Sequence, residues 1–402
     1  MIPVLIIVNA GSSSLKFQVY DLLDGAEPRL VWKGLYEGLG AAAHFVVKDA
    51  HGVVLDDRTW GAADQTGHEE ALMHLVAWLS QFREERKPVA IGHRVVHGGE
   101  AFPGPVLVDE TVLQALETLV PLAPLHQPHN LEPIRIVRRR LPGMPQIACF
   151  DTAFHQTQPD IATLFALPRN MRERGVRRYG FHGLSYDYIA SVLSDYDPGL
   201  ASGRVIVAHL GNGASLCALD HGTSIATTMG FSALDGLPMG TRCGAVDAGV
   251  IFYMIREMRL SPDEAESVLY RKSGLLGVSG TSNDMRELRA KAATDVDARR
   301  AIDLFVYRII REIGSLVAAL GGLDGLVFTA GIGENDVATR AEVIAGLAWA
   351  GFTLDNAANR AGRQRISSGA GPSAWVIPTN EEIVIARQTR TVLGAMPAKL
   401  AS

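Results

Sequence analysis

A strand, a Gly-rich turn and a second strand occur twice in this chain, about 200 residues apart. The first copy is VLIIVNAGSSSLKFQVY at residues 4–20, and the second is VIVAHLGNGASLCAL at residues 205–219. The apolar run before each turn predicts a buried strand, and the alternation after it predicts a hairpin partner. The repeat therefore predicts an α/β fold of two related halves, with a ligand site in a cleft between them, since clefts between domains commonly bind ligands.

Length and composition are those of a globular protein with about two or three domains. The 402 residues include 38 Lys and Arg against 43 Asp and Glu, and the net charge of −5 argues against non-specific nucleic-acid binding. Cys149, Cys217 and Cys243 are far apart, so neither a disulfide framework nor a thiolate zinc site is predicted. The apolar run at residues 2–8 is too short to span a bilayer. We therefore expect a cytoplasmic protein without nucleic-acid or membrane partners.

Local signals predict further helices and strands. Apolar periodicity predicts a long amphipathic helix over residues 296–320, and SPDE at residues 261–264 is a capping box. Asn130 is interpreted as a helix N-cap, with Pro133 in the first turn. Strands are predicted over residues 146–150, over residues 89–96 just after Pro88, and over residues 326–330, which lead into a Gly-rich turn, and the last helix is predicted to begin near Asn380.

Several common chemistries are excluded by missing motifs. The chain contains no GK dipeptide, hence no Walker A loop, and no GxSxG or HExxH. The pairs His93/His97 and His126/His129 are interpreted as structural, because no further zinc ligand accompanies them. What remains is three Gly-rich turns, each after an apolar strand, at residues 9–14, 211–215 and 331–335. Their backbone N–H groups, with Lys16, favour a bound nucleotide phosphate.

Charged residues form a second group of candidates. Arg94 and Asp151 each follow an apolar run, which places a charge at the end of a strand, where open α/β sheets bind ligands. His182, Arg242 and Glu381 lie in runs rich in glycine or aromatic residues, or at the start of a predicted helix. Together these five residues predict an anion-binding active site rather than isolated ion pairs.

The motifs that carry these residues resemble those of the acetokinase family, within the superfamily of sugar kinases, heat-shock chaperones and actin. NAGSSSLKF, GHRVVHGGE, FDTAFHQT, RRYGFHG, AHLGNGAS, MGTR, FTAGIGEN and PTNEE occur in the family's order along essentially the whole chain. The resemblance implies two duplicated ribonuclease H-like (actin-like ATPase) domains with an active-site cleft between them. The first would cover residues 1–150, completed by a C-terminal helix at about residues 386–402, and the second residues 151–385.

The resemblance also implies an activity and the residues that perform it. The activity is reversible, direct in-line transfer of the γ-phosphoryl group of ATP to acetate, in a homodimer that uses Mg²⁺, with Mn²⁺ as a substitute. Asp151 would be the catalytic carboxylate, Arg94 and Arg242 would hold the carboxylate and the phosphoryl group, and His182 would contact the phosphoryl group. Metal would be organised by Asn9 and Glu381. The acyl group would be bound by Arg94, Val96, Leu125, Phe181 and Ala233. The nucleotide would be bound by Lys16, His209, Leu210, Gly211, Asn212, Gly213, Asp284, Met285, Arg286, Gly331, Ile332, Gly333 and Asn335.

Physical chemistry leaves more than one substrate open. A small carboxylic acid with a pKa of about 4 is ionised at pH 7. It therefore needs no general base, and Asp151 is interpreted as orienting an arginine or the metal shell. A kinase for a sugar or another alcohol would instead need Asp151 as a base, and a non-catalytic or ATP-driven clamp is a third reading.

The chain also departs from the family's pattern at a few positions. Ala233 stands where the family pattern has proline, and Cys243, Ala245 and Ala248 stand where Ser, Asp and Pro are usual. Ala233 leaves more room in the acyl pocket, which predicts that propionate is also a substrate. Cys243 beside Arg242 is read either as a thiol with a lowered pKa or as a small packed side chain.

Overall fold

The computed structural model describes residues 1–23, 25–61, 64 and 66–395. By their internal contacts these residues divide into two compact units. The first unit contains residues 1–154 and the segment from residue 380 onward, and the second contains residues 155–379.

Thirteen strands lie within the described residues. In chain order they are β1 (Ile2–Ala10), β2 (Ser14–Asp21), β3 (Arg29–Glu37), β4 (His44–Asp49), β5 (Val54–Thr59), β6 (Arg86–Val95), β7 (Val106–Leu107), β8 (Gln146–Phe150), β9 (Arg204–Leu210), β10 (Ala214–Asp220), β11 (Thr223–Thr227), β12 (Gly325–Thr329) and β13 (Ser373–Val376).

Sixteen α-helices lie within the same residues. In chain order they are α1 (His68–Leu79), α2 (Glu110–Glu117), α3 (Gln127–Arg140), α4 (Asp160–Thr163), α5 (Arg169–Arg172), α6 (Gly183–Tyr196), α7 (Pro198–Ala201), α8 (Ala248–Arg256), α9 (Pro262–Arg271), α10 (Gly274–Ser279), α11 (Met285–Lys291), α12 (Val296–Leu320), α13 (Ala330–Asn335), α14 (Val337–Gly346), α15 (Asn356–Arg360) and α16 (Glu381–Gly394).

The two units share one strand arrangement. In the first, the sheet order is β5-β4-β3-β2-β1-β6-β8-β7; β1, β2 and β3 are antiparallel, and β1, β6 and β8 are parallel. In the second, the order is β11-β10-β9-β12-β13, again with an antiparallel trio and a parallel trio that share one strand. The order β3-β2-β1-β6-β8 thus matches β11-β10-β9-β12-β13. The predicted fold class of two duplicated α/β domains is confirmed.

Helices cover the first sheet on both faces. On one face, α1 contributes Leu72, Leu75 and Trp78 to a core cluster that also contains Val4 and Ile6 of β1. On the other, α16 packs against β1, β6 and β8. Both faces of the central parallel strands are therefore buried, as their continuous apolar runs require.

Gly92 explains why the C-terminal helix belongs to the first unit. A Cβ at this position of β6 would lie 2.3 Å from Oγ1 of Thr389 and 2.9 Å from Cγ2 of Ile385, both on α16. The absence of a side chain lets α16 approach the strand closely.

The transitions between units fall after residues 154 and 379, rather than after residues 150 and 385 as expected. Asp151 lies in the first unit because its N–H donates to the carbonyl of Val95 on β6. The last helix begins at Glu381, as the local signals predict, and residues 396–402 at the end of the expected 386–402 helix lie outside the described residues.

Some predicted boundaries were wrong. Asn130 is not an N-cap: α3 begins three residues earlier, and the Asn130 side chain is buried and bonds to backbone groups of other segments. The strand predicted after Pro88 begins at Arg86, because β6 accommodates the proline where its pairing with β1 shifts register. The Gly-rich segment after β12 is a helix, α13, rather than a turn.

Other predictions agree with the structure. Helix α12 runs from Val296 to Leu320 as predicted, and Ser261 and Glu264 form the predicted capping box. His93 is buried with a pKa lowered to about 4, mainly by burial, and its Nε2 lies 2.9 Å from Oε1 of Gln146. The N–H of Gly99 donates to Nδ1 of His97. None of the helices formed by the described residues is both long and apolar enough to cross a membrane.

Candidate active site

A charged pair lies at the carboxyl ends of two parallel strands of the first unit. Arg94 is the penultimate residue of β6, and Asp151 directly follows β8. Nε of Arg94 donates to Oδ1 of Asp151 at 3.0 Å, and Nη2 donates to Oδ2 at 2.6 Å. The Asp151 side chain is 1% exposed and the Arg94 side chain 24% exposed. One guanidinium therefore engages both carboxylate oxygens, in the two-point geometry that arginine favours.

Asn9 and Glu381 reach the same guanidinium from two other elements. Oδ1 of Asn9, near the end of β1, accepts from Nη1 of Arg94 at 3.3 Å. Oε2 of Glu381, the first residue of α16, lies 3.8 Å from Nε of Arg94. Burial would lower the pKa of Arg94, but the charges of Asp151 and Glu381 hold it above its usual value. The side chain therefore stays cationic.

A cavity of about 340 Å³ opens beside this group. The predicted residues that line it are Asn9, Lys16, Arg94, Val96 and Leu125. Its other lining residues are Ala10, Gly11, Ser12, Ser14, His126, His129 and Asn130.

Asn130 has a role that sequence reasoning missed. Its Nδ2 donates to the carbonyl of Ala10 at 2.7 Å, and its Oδ1 accepts from the N–H of Val96 at 2.9 Å. It therefore ties the end of β1 to the segment after β6. The signal was available, since Leu131 and Ile134 place Asn130 on the buried face of α3.

In the second unit, His182 is held in an unusual conformation just before α6. Its φ of 58° lies in the left-handed region, which residues other than glycine rarely adopt and which is often found at functional sites. Its ring stacks on that of His209, with centroids 4.2 Å apart. A Cβ at Gly213 would lie 3.1 Å from Nε2 of His182 and 4.0 Å from Nη1 of Arg242. The absence of a side chain at Gly213 thus leaves space beside Nε2 of His182 and Nη1 of Arg242.

Arg242 is held by its own loop. Its Nη1 donates to the carbonyl of Ala233 at 3.0 Å. The loop turns tightly, with the N–H of Met239 donating to the Arg242 carbonyl at 3.0 Å. Gly274 packs against this loop, and its φ of 62° lies in the left-handed region. A Cβ at Gly274 would lie 2.0 Å from the Met239 carbonyl oxygen. Only glycine permits this close approach.

The second unit also holds a cavity of about 850 Å³. The predicted nucleotide-binding residues that line it are Gly211, Asn212, Asp284, Met285, Arg286, Gly331, Ile332 and Asn335. Four other predicted residues of this unit, His209, Leu210, Gly213 and Gly333, are not in its lining, and Lys16 belongs to the first unit.

Three lining residues were not predicted: Asn283, Arg289 and Asp336. Arg289 is fixed by carboxylates, since Nε donates to Asp336 at 3.1 Å and Nη2 donates to Glu342 at 2.7 Å. Asp284 caps α11 and pairs with Arg286, whose hydrogen bonds lower the pKa of the Asp284 carboxyl to about 2. No motif in the chain marks Arg289, because its partners lie 47 and 53 residues away.

Arg340 anchors the Gly-rich helix α13 to the rest of the second unit. It is 1% exposed, and Nη1 donates to the carbonyls of Gly333 at 3.0 Å and Glu334 at 2.8 Å. Its Nε donates to Oδ1 of Asn359 at 2.8 Å. These acceptors are uncharged oxygens, and they fix the end of the segment that lines the larger cavity.

Comparison with known sequences gives the family. The sequence profile of the acetokinase family matches residues 4–387. The chain belongs to the acetokinase family.

Individual members of the acetokinase family are similar over their full lengths. An acetate kinase of Rhodopseudomonas palustris is 51% identical over 392 residues, which cover 96% of this chain and 98% of that protein. The crystal structure of a propionate kinase from Francisella tularensis superposes with a TM-score of 0.89 at 37% identity, over 97% of this chain and 100% of that one. The crystal structure of an acetate kinase from Porphyromonas gingivalis superposes with a TM-score of 0.86 at 34% identity, again over 97% of this chain and 100% of that one.

The acyl-pocket residues implied by the acetokinase resemblance fall in both units. Val96 and Leu125 lie in the first, where they line the smaller cavity. Phe181, buried in the second, accepts from His155 through its carbonyl, and Ala233 is half-buried. The position of Ala233 is set by Arg242, which bonds to its carbonyl.

Cys243 is a packed, protonated thiol. Its Sγ donates to the carbonyl of Gly244 at 3.1 Å, and burial raises the thiol pKa to about 11. The alternative of a lowered pKa beside Arg242 is therefore wrong, because burial outweighs the nearby positive charge.

Proposed function

We propose that this chain catalyses the reversible transfer of the γ-phosphoryl group of ATP to acetate, giving acetyl phosphate and ADP. The observation that carries the proposal is the half-buried Arg94, whose guanidinium is held at the carboxyl ends of the parallel strands by both oxygens of the buried Asp151. Acetate and ATP are both anions, so their reaction needs positive charge and exact positioning more than it needs a base.

Arg94 retains donors for a substrate anion. A guanidinium has five N–H donors, and three of them donate to Asp151 and Asn9. The described residues engage neither of the other two, one on each terminal nitrogen, and Arg94 lines the smaller cavity. Two adjacent donors fit the two oxygens of a carboxylate or of a phosphoryl group.

Asp151 fits a positioning role better than that of a general base. Both of its oxygens accept from the Arg94 guanidinium, and a carboxylate stabilised in this way is a weak proton acceptor. A kinase for a sugar or another alcohol would need this base. The arrangement therefore favours a carboxylate acceptor.

The second unit would bind the nucleotide and contact the phosphoryl group that is transferred. The cavity of about 850 Å³ lies against the N-terminal end of α13 and the β9–β10 turn, whose backbone N–H groups suit phosphate oxygens. Arg242 and His182, both beside Gly213, would place two donors on the transferring phosphoryl group. We infer that Arg94 and Arg242 both act in this reaction, and that it takes place in the cytoplasm, where ATP is supplied.

The residues of the first unit also suit a magnesium ion. Asn9 and Glu381 offer oxygen donors, and Mg²⁺ typically takes one or two protein oxygens with waters and substrate phosphates. Among the described residues, no group of three or more His, Cys, Asp or Glu side chains that could hold a metal ion is found. When bound, Mg²⁺ or Mn²⁺ would neutralise charge on the β- and γ-phosphates.

The direct test is trapping of the acyl phosphate with hydroxylamine. The purified protein, ATP, Mg²⁺ and acetate should produce acetyl hydroxamate and ADP in equal amounts. Formation of ADP that does not depend on any small carboxylate would instead favour the clamp, and phosphorylation of an alcohol would favour the sugar-kinase reading.

Removing the carboxylate of Glu381 should raise the metal requirement. In Glu381→Ala, the Mg²⁺ concentration for half-maximal activity should increase at least about tenfold, because a ligand or orienting group of the ion is lost. The KM for acetate should change by less than about twofold. Glu110→Ala, which removes an exposed carboxylate from α2, is the control. Unchanged metal dependence in Glu381→Ala would assign Mg²⁺ to other residues.

Propionate should be a substrate. Ala233 stands where the family pattern has proline, whose ring is larger. One methylene in a hydrophobic pocket is worth about 1–3 kcal/mol of discrimination between two substrates. We therefore expect kcat/KM for propionate within about 100-fold of that for acetate. In Ala233→Pro, the ratio should shift toward acetate. A value for propionate at least about a thousandfold below that for acetate would contradict this prediction.

A homodimer is the oligomeric state that the surface of the second unit supports. Helix α8 has no buried residue in the single chain, and it exposes Val250, Phe252 and Tyr253, with Val246 and Met258 beside it. A group of large exposed apolar side chains on one short segment commonly marks a protein interface. Phe252→Glu combined with Tyr253→Glu should convert the dimer to a monomer in sedimentation equilibrium, whereas Val54→Glu on β5 should not. A wild-type monomer would overturn the assignment.

A further inference from the structure

A buried chain of hydroxyl groups stands behind His182. Nδ1 of His182 lies 2.8 Å from Oγ of Ser215, and the same Oγ lies 2.5 Å from the hydroxyl of Tyr186. Ser215 and Tyr186 are both fully buried. Tyr186 lies one helical turn after His182, and its N–H donates to the His182 carbonyl at 3.1 Å. The three side chains therefore form one connected group on α6 and β10.

The direction of the hydrogen bonds follows from the chemistry of the groups. A phenol is a better donor than an aliphatic hydroxyl because its proton is more acidic. Burial raises the pKa of Tyr186 well above its usual value, so the phenol keeps its proton. The phenol then donates to Oγ of Ser215, and the Ser215 hydroxyl donates to Nδ1 of His182.

The other nitrogen of His182 faces a different environment. Nε2 lies beside Gly213, and the guanidinium of Arg242 is on the same side. The ring of His209 stacks on that of His182 at 4.2 Å, and the ring of His155 packs edge-on against Tyr186 at 5.6 Å. A positive charge on His182 would thus be opposed by Arg242 and by any charge on His209.

We propose that Tyr186 and Ser215 are positioning residues that hold His182 neutral, with its proton on Nε2. The inference rests on the proposed function for the identity of the ligand, an anionic phosphoryl group, but the tautomer is a property of the free protein. In this tautomer Nε2–H is a donor directed to the side of Arg242. In the opposite tautomer a lone pair would point there and would repel a phosphoryl oxygen.

The relay formed by Tyr186, Ser215 and His182 gives a role to two side chains to which the acetokinase resemblance assigns none. Tyr186 lies four residues after His182, and Ser215 is the last residue of the AHLGNGAS motif. The left-handed conformation of His182 brings its ring over β10, where Ser215 can reach Nδ1. The unusual backbone conformation at residue 182 thereby determines which ring nitrogen meets Ser215.

The test is the tautomer of His182, measured in the full-length protein labelled with ¹⁵N-histidine. Long-range ¹H–¹⁵N spectra distinguish a protonated from an unprotonated ring nitrogen, and the His182→Gln spectrum assigns the signal. We expect unprotonated Nδ1 and protonated Nε2 in the wild type. A proton on Nδ1, or a doubly protonated ring at neutral pH, would overturn the proposal whether or not the enzyme makes acetyl phosphate.

Variants separate positioning from general structure. In Tyr186→Phe, the Nε2–H form should lose its dominance, and kcat should fall about tenfold, the usual value of one such hydrogen bond, with KM for ATP unchanged. Ser215→Ala should do the same, and the double variant should be no worse than Ser215→Ala, because both act through His182. Tyr188→Phe, on the same helix, is the control. An unchanged tautomer in Tyr186→Phe, or additive losses, would contradict the relay.

Discussion

Replacing Arg242 with lysine should lower kcat at least about 100-fold, the usual cost of losing one preorganised donor to the charge that develops in a transition state. The substitution keeps the positive charge but loses the planar fork. The guanidinium donates from Nη1 to the Ala233 carbonyl at 3.0 Å, and this bond helps to fix the orientation of its planar fork. The ammonium group of lysine has no planar set of donors and cannot hold the same orientation.

Steady-state kinetics in both directions measure this effect. The loss should appear in kcat more than in KM for ATP, because the interaction strengthens in the transition state. Arg271→Lys, an exposed residue at the end of α9, is the matched control and should behave as wild type. A kcat for Arg242→Lys within about threefold of wild type would remove Arg242 from the reaction.

Replacing Asp151 with asparagine should lower kcat/KM for acetate at least about 100-fold, because the half-buried guanidinium of Arg94 loses the charged partner that orients it. Asparagine has nearly the same shape, but its amide nitrogen would face the donors of Arg94. Arg94 would then shift away from the position in which its two remaining donors meet the substrate. The remaining contacts, with Asn9 at 3.3 Å and with Glu381 at 3.8 Å, are too long to fix its orientation.

The pH profile distinguishes positioning from base catalysis. If Asp151 positions Arg94, the residual activity of Asp151→Asn should keep the shape of the wild-type pH profile. If Asp151 were a base, the acidic limb would disappear. Asp109→Asn is the control, because Asp109 is an exposed N-cap of α2. Activity of Asp151→Asn close to wild type would contradict both roles.

Much of the charged group in the first unit could be predicted, because its residues lie at the ends of apolar runs. Parallel strands end at one edge of a sheet, so Arg94 at the end of β6 and Asp151 directly after β8 lie close together. The predicted hairpin is also present, and its register pairs Asn9 with Lys16. In these cases local sequence order and strand pairing carry the same information.

Residues held by tertiary contacts could not be predicted in this way. Asn130 looked like a helix cap because Asn is common at that position, yet its amide serves backbone groups of two strand ends. Arg289 depends on carboxylates distant in sequence, and no pattern in the chain marks that pairing. The relay behind His182 depends on a left-handed residue whose φ is visible only in the folded chain.

The buried Arg340 has a consequence for how the larger cavity responds to solution conditions. Its acceptors at Gly333, Glu334 and Asn359 are carbonyl and amide oxygens, which neither titrate nor attract counterions strongly. Another part of the lining, around Arg289, depends instead on ion pairs with Asp336 and Glu342. High ionic strength would therefore weaken the contacts of Arg289 before it changed the glycine-rich segment that Arg340 holds.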